Sequence, residues 1–412
     1  MKLRKFIFMG ITIMTQNALT QEKTSAPTFG DDLAFLKKHV EVIVLSDQTG
    51  AQQVAVIPAY QGRIMTSTAA GASGLSFGWV NRELIASGKI APHINVYGGE
   101  DRFWIGPEGG QFSVFFAKGV KFDLEYWFTP RSIDTEPFEL VSQSSDRVLC
   151  RREIQLTNYS GTNFKLAVNR EIRLLDAGTI NRHLGVKPGS KALSGAGIKM
   201  IGVESINTIK NTGEKAWSKQ SGLLAIWILG MFNAAPATTV VIPFKTGPEA
   251  KLGPIVNDIY FGKVPAERLA VKNGVMYFAA DANYRSKIGV SPQRSKPVMG
   301  SYDAVNRVLT LAQFTLPEGA TDYVNSMWQL QEKPFGGDAI NSYNDGPPAP
   351  GAKQMGKFYE LESSSPALAL QPKQSATHVH RTIHLQGPES DLDTIARATL
   401  GVGVEEIKQG LK

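Results

Sequence analysis

The stretch Lys165-Leu166-Ala167-Val168-Asn169-Arg170-Glu171-Ile172-Arg173-Leu174 alternates in side-chain character with period two. Such alternation is typical of a β-strand, because successive side chains point to opposite faces of a sheet. Other segments with this period are rich in Val, Ile, Phe and Thr and end at Gly, Pro, Asn or Asp; they are 41–45, 54–57, 112–116, 122–128, 223–229, 238–243, 275–279, 308–314 and 377–385. Only 31–38, with Asp31 as its cap, and 390–400 indicate helices. The sequence therefore predicts an all-β protein, a large antiparallel sandwich with few short helices.

The composition of the 412-residue chain is that of an ordinary globular protein: 42% hydrophobic, 20% charged, with one cysteine. It excludes a disordered chain, a collagen-like chain and a small disulfide-stapled protein. All-β domains often exceed the usual domain size, so the length does not require several domains. We interpret the Pro- and Gly-rich segment 333–354 as a binding loop rather than a linker. The prediction is a single domain over residues 21–412.

Residues 1–20 have the composition of a secretory signal peptide. Lys2, Arg4 and Lys5 form a positive start, and the short apolar run 6–14 follows. This run is about half the length that spans a bilayer, so we expect no membrane insertion. We expect a periplasmic or secreted protein, and Cys150 is too far from the N-terminus to carry a lipid anchor. Without residues 1–20 the net charge falls from +7 to +4 (41 basic against 37 acidic residues), too weak a bias to predict a nucleic-acid partner.

The segment 93–111 combines five glycines with carboxylates, an arginine and aromatic rings. Aromatic faces pack against the C–H surface of sugars, while carboxylates and arginine hydrogen-bond their hydroxyls. We therefore predict carbohydrate as the partner, with binding residues Tyr97, Glu100, Arg102 and Trp104. The alternative is a turn-rich hairpin whose charges are solvated.

The segment 358–366 places Glu360 and Glu362 on one face of a predicted strand, about 6–7 Å apart. Two carboxylates this close raise each other's pKa in a dry site, which suits acid/base chemistry near neutral pH. The alternative is a solvated edge strand. Upstream, the predicted loop adds Asn341, Tyr343 and Asp345 as further candidates for substrate binding.

His378, His380 and His384 share one face of another predicted strand. Such a pattern can hold zinc, but no carboxylate stands at an obvious third position, so we interpret this as a solvent-facing strand surface. We predict neither a metal nor a cofactor. Cys150 is interpreted as a small buried thiol, because no histidine lies near it in sequence.

Four segments, in chain order, resemble the galactose mutarotase-like (aldose 1-epimerase-like) superfamily. They are 54–68 with Gln61-Gly62-Arg63-Ile64, Asn95-Val96-Tyr97-Gly98-Gly99 followed by Phe103, Leu156-Thr157-Asn158 through Ile172, and Leu361-Glu362 followed by Leu370-Gln371-Pro372 and 378–384. The resemblance implies a large β-supersandwich that binds carbohydrate. The segments Gly-Gly-Glu-Asp-Arg-Phe-Trp (98–104) and Tyr-Glu-Leu-Glu (359–362) resemble most a group of uncharacterised exported bacterial proteins in this superfamily.

The resemblance implies that Glu362 is the catalytic base, with Glu360 as the alternative alignment. Tyr97 stands where the family has a sugar-binding histidine, and the strand of the catalytic histidine offers Arg170 instead. We therefore take Arg170 or Glu108 as the group that polarises or protonates the ring oxygen. The prediction is an exported carbohydrate-active protein with epimerase-like chemistry at the anomeric centre. A non-catalytic glycan-binding protein and a polysaccharide hydrolase or lyase are the alternatives.

Overall fold

The structure, a computed structural model, describes residues 26–185 and 197–412, so the predicted signal peptide lies outside the described residues. The strands are β1 Ile43–Ser46, β2 Gln53–Ile57, β3 Arg63–Thr68, β4 Arg102–Gly106, β5 Glu139–Gln143, β6 Arg147–Thr157, β7 Asn163–Leu174, β8 Lys199–Asn211, β9 Ala225–Asn233, β10 Thr238–Pro243, β11 Leu269–Lys272, β12 Val275–Ala279, β13 Ser286–Val290, β14 Val298–Asp303, β15 Val308–Phe314, β16 Ile340–Asn344, β17 Phe358–Ser364 and β18 Ser375–Gln386. The helices are α1 Phe29–Lys37, α2 Arg82–Ser87, α3 Arg131–Asp134, α4 Ala177–Leu184, α5 Glu249–Leu252, α6 Glu389–Leu400 and α7 Val404–Lys408.

The strands pair antiparallel in three sheets. A ten-stranded sheet has the order β11-β12-β10-β14-β15-β18-β8-β7-β6-β5, and a five-stranded sheet has the order β13-β16-β17-β9-β4. A three-stranded sheet, β1-β2-β3, continues the five-stranded one through an isolated antiparallel bridge between Ile64 and Asp101. The predicted all-β class with few short helices is confirmed.

The five-stranded sheet packs one face against the ten-stranded sheet. On β17, the Tyr359 hydroxyl lies 2.7 Å from Ser301 Oγ on β14, and Leu361 belongs to the apolar core between the sheets. Because side chains alternate along a strand, Glu360 and Glu362 lie on the opposite face of the five-stranded sheet. This opposite face, which we call the outer face, carries the charged side chains described below.

Helices cover part of the other face of the ten-stranded sheet. Ile383 and Leu385 of β18 pack there with Leu392 and Ile395 of α6, and all four side chains are fully buried. Strand β18 is therefore buried on both faces, which decides the environment of its histidines. None of the helices in the described part of the chain is long and apolar enough to cross a membrane.

Four local predictions differ from the structure. Two of them are the predicted strands 112–116 and 122–128, where the structure has turns and a short 3₁₀ helix, Leu124–Tyr126. Helix α1 begins at Phe29 rather than Asp31, because Thr28 is the cap: its hydroxyl accepts a hydrogen bond from the Asp31 N–H at 3.2 Å. The predicted loop 333–354 contains strand β16, which pairs with both β13 and β17. Strand pairing satisfies the backbone of a short segment whose side chains are mostly polar, so the side-chain pattern alone concealed it.

Candidate functional site

The outer face of the five-stranded sheet gathers candidate residues from every one of its strands. Directly paired residues point to the same face, and the register places Arg102 beside Leu229, Leu229 beside Glu362, and Glu362 beside Asn341. A second row joins Met231, Glu360, Tyr343 and Lys287, and a third joins Trp104 and Trp227. All of these side chains are buried.

Glu362 lies at the centre of this face and is fully buried. Its Oε2 accepts hydrogen bonds from Lys287 Nζ and from Trp227 Nε1, each at 2.9 Å. Its Oε1 has no hydrogen-bond partner among the described residues. One oxygen of this carboxylate is thus held by a cation and an indole.

Glu360 lies two residues earlier on the same strand and is 6% exposed. Arg102 Nη2 donates a hydrogen bond to its Oε1 at 3.2 Å. Burial raises the pKa of Glu360 to about 8; the Arg102 guanidinium lowers it, while the Glu362 carboxylate raises it further. The solvated-edge alternative for this carboxylate pair is therefore wrong, and Glu360 holds a proton at neutral pH.

Glu108 belongs to the same cluster, just beyond the end of β4. Its backbone N–H donates to Ser326 Oγ at 3.2 Å, and its carboxyl accepts a hydrogen bond from Trp328. Burial raises the pKa of the carboxyl, and the Lys287 ammonium lowers it. Glu108 and Trp328 are partly exposed, so they form part of the rim of the site.

Two indole rings and two cations line the face beside the carboxylates. The rings of Trp104 and Trp227 meet edge to face, with centroids 5.4 Å apart. The Arg102 guanidinium lies 4.1 Å from the Trp104 ring centroid, and Lys287 Nζ lies 4.8 Å from that of Trp227. These contacts fix both cations over aromatic surface.

Four residues of this face were not predicted from the sequence. They are Lys287 and Trp227, described above, and Tyr260 and Asp338, which lie at the β13 end of the face. The Tyr260 hydroxyl donates to Asp338 Oδ2 at 2.6 Å and accepts from Asn341 Nδ2 at 3.2 Å. Burial raises the pKa of Asp338 to about 6. A Cβ at Gly289 would overlap Asp338 Oδ2, so the glycine makes room for this carboxylate. The polar-aromatic run 257–261 was the only sequence signal for Tyr260.

Tyr343, on β16, and Asp345, just after this strand, are joined to each other. The Tyr343 hydroxyl donates to Asp345 Oδ1 at 2.7 Å, and the Gly356 N–H donates to Asp345 Oδ2 at 2.7 Å. Both side chains are buried. Their hydrogen bonds therefore hold the segment between β16 and β17 in place beside the cluster.

The structure does not bring Glu100 or Arg170 to the outer face. Glu100 Oε2 lies 2.6 Å from His384 Nε2, between the two large sheets. Arg170 is fully buried there, paired with Asp101, and its Nε donates to the Gly62 carbonyl at 3.0 Å. Arg170 lies on β7, as predicted, but strand alternation directs its side chain to the interior, and Glu100 lies in a bend before β4. Arg170 is thus not placed to act on a ligand of Glu362.

Tyr97 lies apart from the carboxylate pair as well. Its ring stacks on Tyr60 with centroids 4.1 Å apart and packs in the apolar cluster of α1 and β2. The guanidinium carbon of Arg63 lies 5.6 Å from the centroid of the Tyr97 ring.

The three histidines of β18 face the interior of the sandwich, so the predicted solvent-facing surface is wrong. His378 Nε2 and His380 Nδ1 each lie 2.8 Å from Ser363 Oγ. Burial lowers the pKa of His378 to about 3 and that of His380 to about 4. Both are therefore neutral core residues. Within residues 26–185 and 197–412, no three His, Cys, Asp or Glu side chains form a group that could hold a metal.

The chain is similar to several solved structures at low sequence identity. These include the Slr1438 protein from Synechocystis sp. PCC 6803 (11% identity, 85% of this chain and 96% of that one, TM-score 0.50). They also include a predicted aldose 1-epimerase from Escherichia coli K12, with 13% identity over 84% of this chain and 99% of that one and a TM-score of 0.49. A third is a galactose mutarotase-like protein from Lactobacillus casei ATCC 334, with 9% identity over 84% of this chain and 100% of that one and a TM-score of 0.45. An identity of 11% to the Slr1438 protein speaks for the fold alone.

No curated protein matches the sequence significantly. One family described as of unknown function matches residues 27–411, nearly the whole described chain. The protein belongs to this family, DUF6786.

Proposed function

We propose that the protein binds a carbohydrate at the outer face of the five-stranded sheet and catalyses acid/base chemistry at its anomeric centre. The observation that carries this proposal is the buried pair of Glu360 and Glu362 beside two indole rings. One carboxyl of the pair is protonated at neutral pH, and the other has a free oxygen. An acid and a base side by side are what opening and closing a sugar ring requires.

In the proposed reaction, Glu362 Oε1 takes the proton of the anomeric hydroxyl. The bond between the anomeric carbon and the ring oxygen breaks, and the ring oxygen takes a proton from Glu360 or from Glu108. Rotation of the open aldehyde and the reverse steps close the ring as the other anomer. Lys287 and Trp227 hold the base in position, and Arg102 orients the acid.

The binding half of the proposal is tested with the purified mature protein and a panel of hexoses, pentoses and uronic acids. Because Trp227 is at the face, a bound sugar should change tryptophan fluorescence, and Trp227→Phe should remove most of this change. Glu362→Gln should keep the affinity within about tenfold, since the amide still accepts hydrogen bonds. Glu153→Gln, on the exposed surface of β6, is the matched control.

Three outcomes would redirect the proposal. Binding without turnover by any variant would indicate a glycan-binding protein. Release of new reducing ends or unsaturated products from polysaccharides would indicate a hydrolase or a lyase. Failure of every sugar and polysaccharide to bind would refute the proposal as a whole.

We also propose that the protein is exported, on the composition of residues 1–20. Fractionation of cells should recover a shortened chain outside the cytoplasm. A full-length chain in the cytoplasm would contradict this proposal.

A further inference from the structure

Two arginines stand side by side at the β4 end of the outer face. The bridge between Ile64 and Asp101 is antiparallel, so its register places Arg63 directly opposite Arg102, with both side chains on the same face. Arg63 is 0% exposed and Arg102 is 3% exposed. Like charges directly opposite each other are unfavourable, and burial increases their repulsion. This arrangement therefore needs compensation by negative charge.

The charge of the pair is only partly compensated within the protein. Arg102 pairs with Glu360, whereas Arg63 has no carboxylate within 4.0 Å among the described residues. Arg63 donates instead to the Gly98 carbonyl at 2.9 Å and to Gln61 Oε1 at 3.2 Å. The Nε atoms of both arginines are buried and have no hydrogen-bond partner in the described part of the chain.

One further carboxylate lies near the pair. Asp134 accepts hydrogen bonds from the backbone N–H and the Nδ2 of Asn95. Burial raises the pKa of Asp134, while Arg63 and Arg102 lower it. Burial, and then the charge of Arg102, lower the pKa of Arg63 to about 9, so it stays charged at neutral pH. Two guanidinium groups thus face Asp134 and a Glu360 that is mostly protonated.

The backbone is shaped to admit Arg63. Gly98 and Gly99 have φ angles of +94° and +107°, which residues other than glycine rarely adopt. A Cβ at Gly99 would lie 2.7 Å from Arg63 Cδ and 2.8 Å from its Cγ. Gly99 therefore makes room for the arginine stem, and Tyr97 lies beside its guanidinium.

We propose that Arg63 and Arg102 form a subsite for the carboxylate of an acidic sugar, such as a uronic acid. This inference rests on the proposed function, and it names the substrate class. The planar guanidinium matches a carboxylate in geometry, and the unpaired Nε–H groups supply donors. A bound carboxylate offsets the excess positive charge of the two guanidinium groups.

The test compares the dissociation constants of D-glucuronate, its neutral methyl ester, D-glucose and glucose 6-phosphate. The unmodified protein should bind glucuronate at least tenfold more tightly than the methyl ester or glucose. Arg63→Met should remove this preference and leave the affinity for glucose within threefold. Arg63→Lys should keep part of the preference, and Arg151→Met, on the exposed surface of β6, should change nothing.

Equal affinity of the unmodified protein for glucuronate and its methyl ester would overturn the inference, even if Arg63→Met failed to fold. Tighter binding of glucose 6-phosphate than of glucuronate would also overturn it, in favour of a phosphate subsite. Binding of neutral sugars alone would refute the carboxylate subsite and leave the proposed function intact. No binding of any sugar would refute the proposed function itself.

Discussion

The ion pair between Lys287 Nζ and Glu362 Oε2 spans 2.9 Å, and its side chains are 10% and 0% exposed. At an effective dielectric constant of about 20, two unit charges at this separation attract by about 6 kcal/mol. The cost of taking both charges out of water offsets part of this attraction. Removing one partner leaves the other charge buried and unpaired, which costs about 3–5 kcal/mol.

We therefore expect Lys287→Met and Glu362→Gln each to lower the free energy of unfolding by about 3–5 kcal/mol. The double variant buries no unpaired charge, so its loss should be smaller than the sum of the single losses by at least about 2 kcal/mol. Urea unfolding followed by tryptophan fluorescence measures all three losses.

The exposed pair of Lys353 and Glu83 is the matched control. Its atoms are also 2.9 Å apart, but its side chains are 80% and 81% exposed. The same cycle there should give a coupling of at most about 1 kcal/mol. A coupling below about 0.5 kcal/mol for Lys287 and Glu362 would refute the reasoning, because it would show that the pair is solvated.

Three further predictions concern pH, packing and reactivity. The pKa of Glu360 is about 8 in the folded protein, against an ordinary value of 4.5. The folded state therefore binds the proton of the Glu360 carboxyl more tightly than the unfolded state does. The stability that this difference contributes is complete below pH 4.5 and is lost as the pH rises to 8. The melting temperature of Glu360→Gln should therefore rise relative to that of the unmodified protein as the pH increases from 5 to 8. Melting temperatures of the two proteins that change in parallel with pH would contradict this. Gly289→Ala should displace Asp338 and lower the free energy of unfolding by about 1–3 kcal/mol, whereas Gly213→Ala, with no neighbour closer than 3.3 Å, should not. Cys150 is fully buried and burial raises its pKa to about 11, so a thiol reagent should label it only after denaturation; rapid labelling of the native protein would show an accessible thiol.

Local patterns in the sequence predicted the parts of the site that depend on a single strand. Period-two alternation placed Glu360 and Glu362 on one face, and the structure shows that face to be buried. Arg102 and Trp104 were predicted from one segment. They lie on the same face as the two carboxylates because β4 pairs with β9, and β9 pairs with β17. The buried thiol predicted for Cys150 is also confirmed.

What the sequence could not show is which face of a strand meets the second sheet. Arg170 and His378 are polar residues that alternate with apolar ones along their strands, as residues of a binding face would. Both nevertheless point between the sheets, where they form hydrogen bonds with other buried polar groups. Tyr260 and Asp338 come together only through the fold, because 78 residues separate them in sequence. Pairing across sheets is a non-local property, so one strand's pattern cannot reveal it.

Exchange NMR of the anomeric protons of hexoses, pentoses and uronic acids tests the proposed acid/base chemistry of Glu362 without further assumptions. The account predicts that the purified protein accelerates anomer exchange of at least one of these sugars. It also predicts that Glu362→Gln slows this exchange by about 10²–10⁴-fold, since that is the usual contribution of a general base. Exchange that is not accelerated for any sugar, or that Glu362→Gln leaves unchanged, would contradict the account.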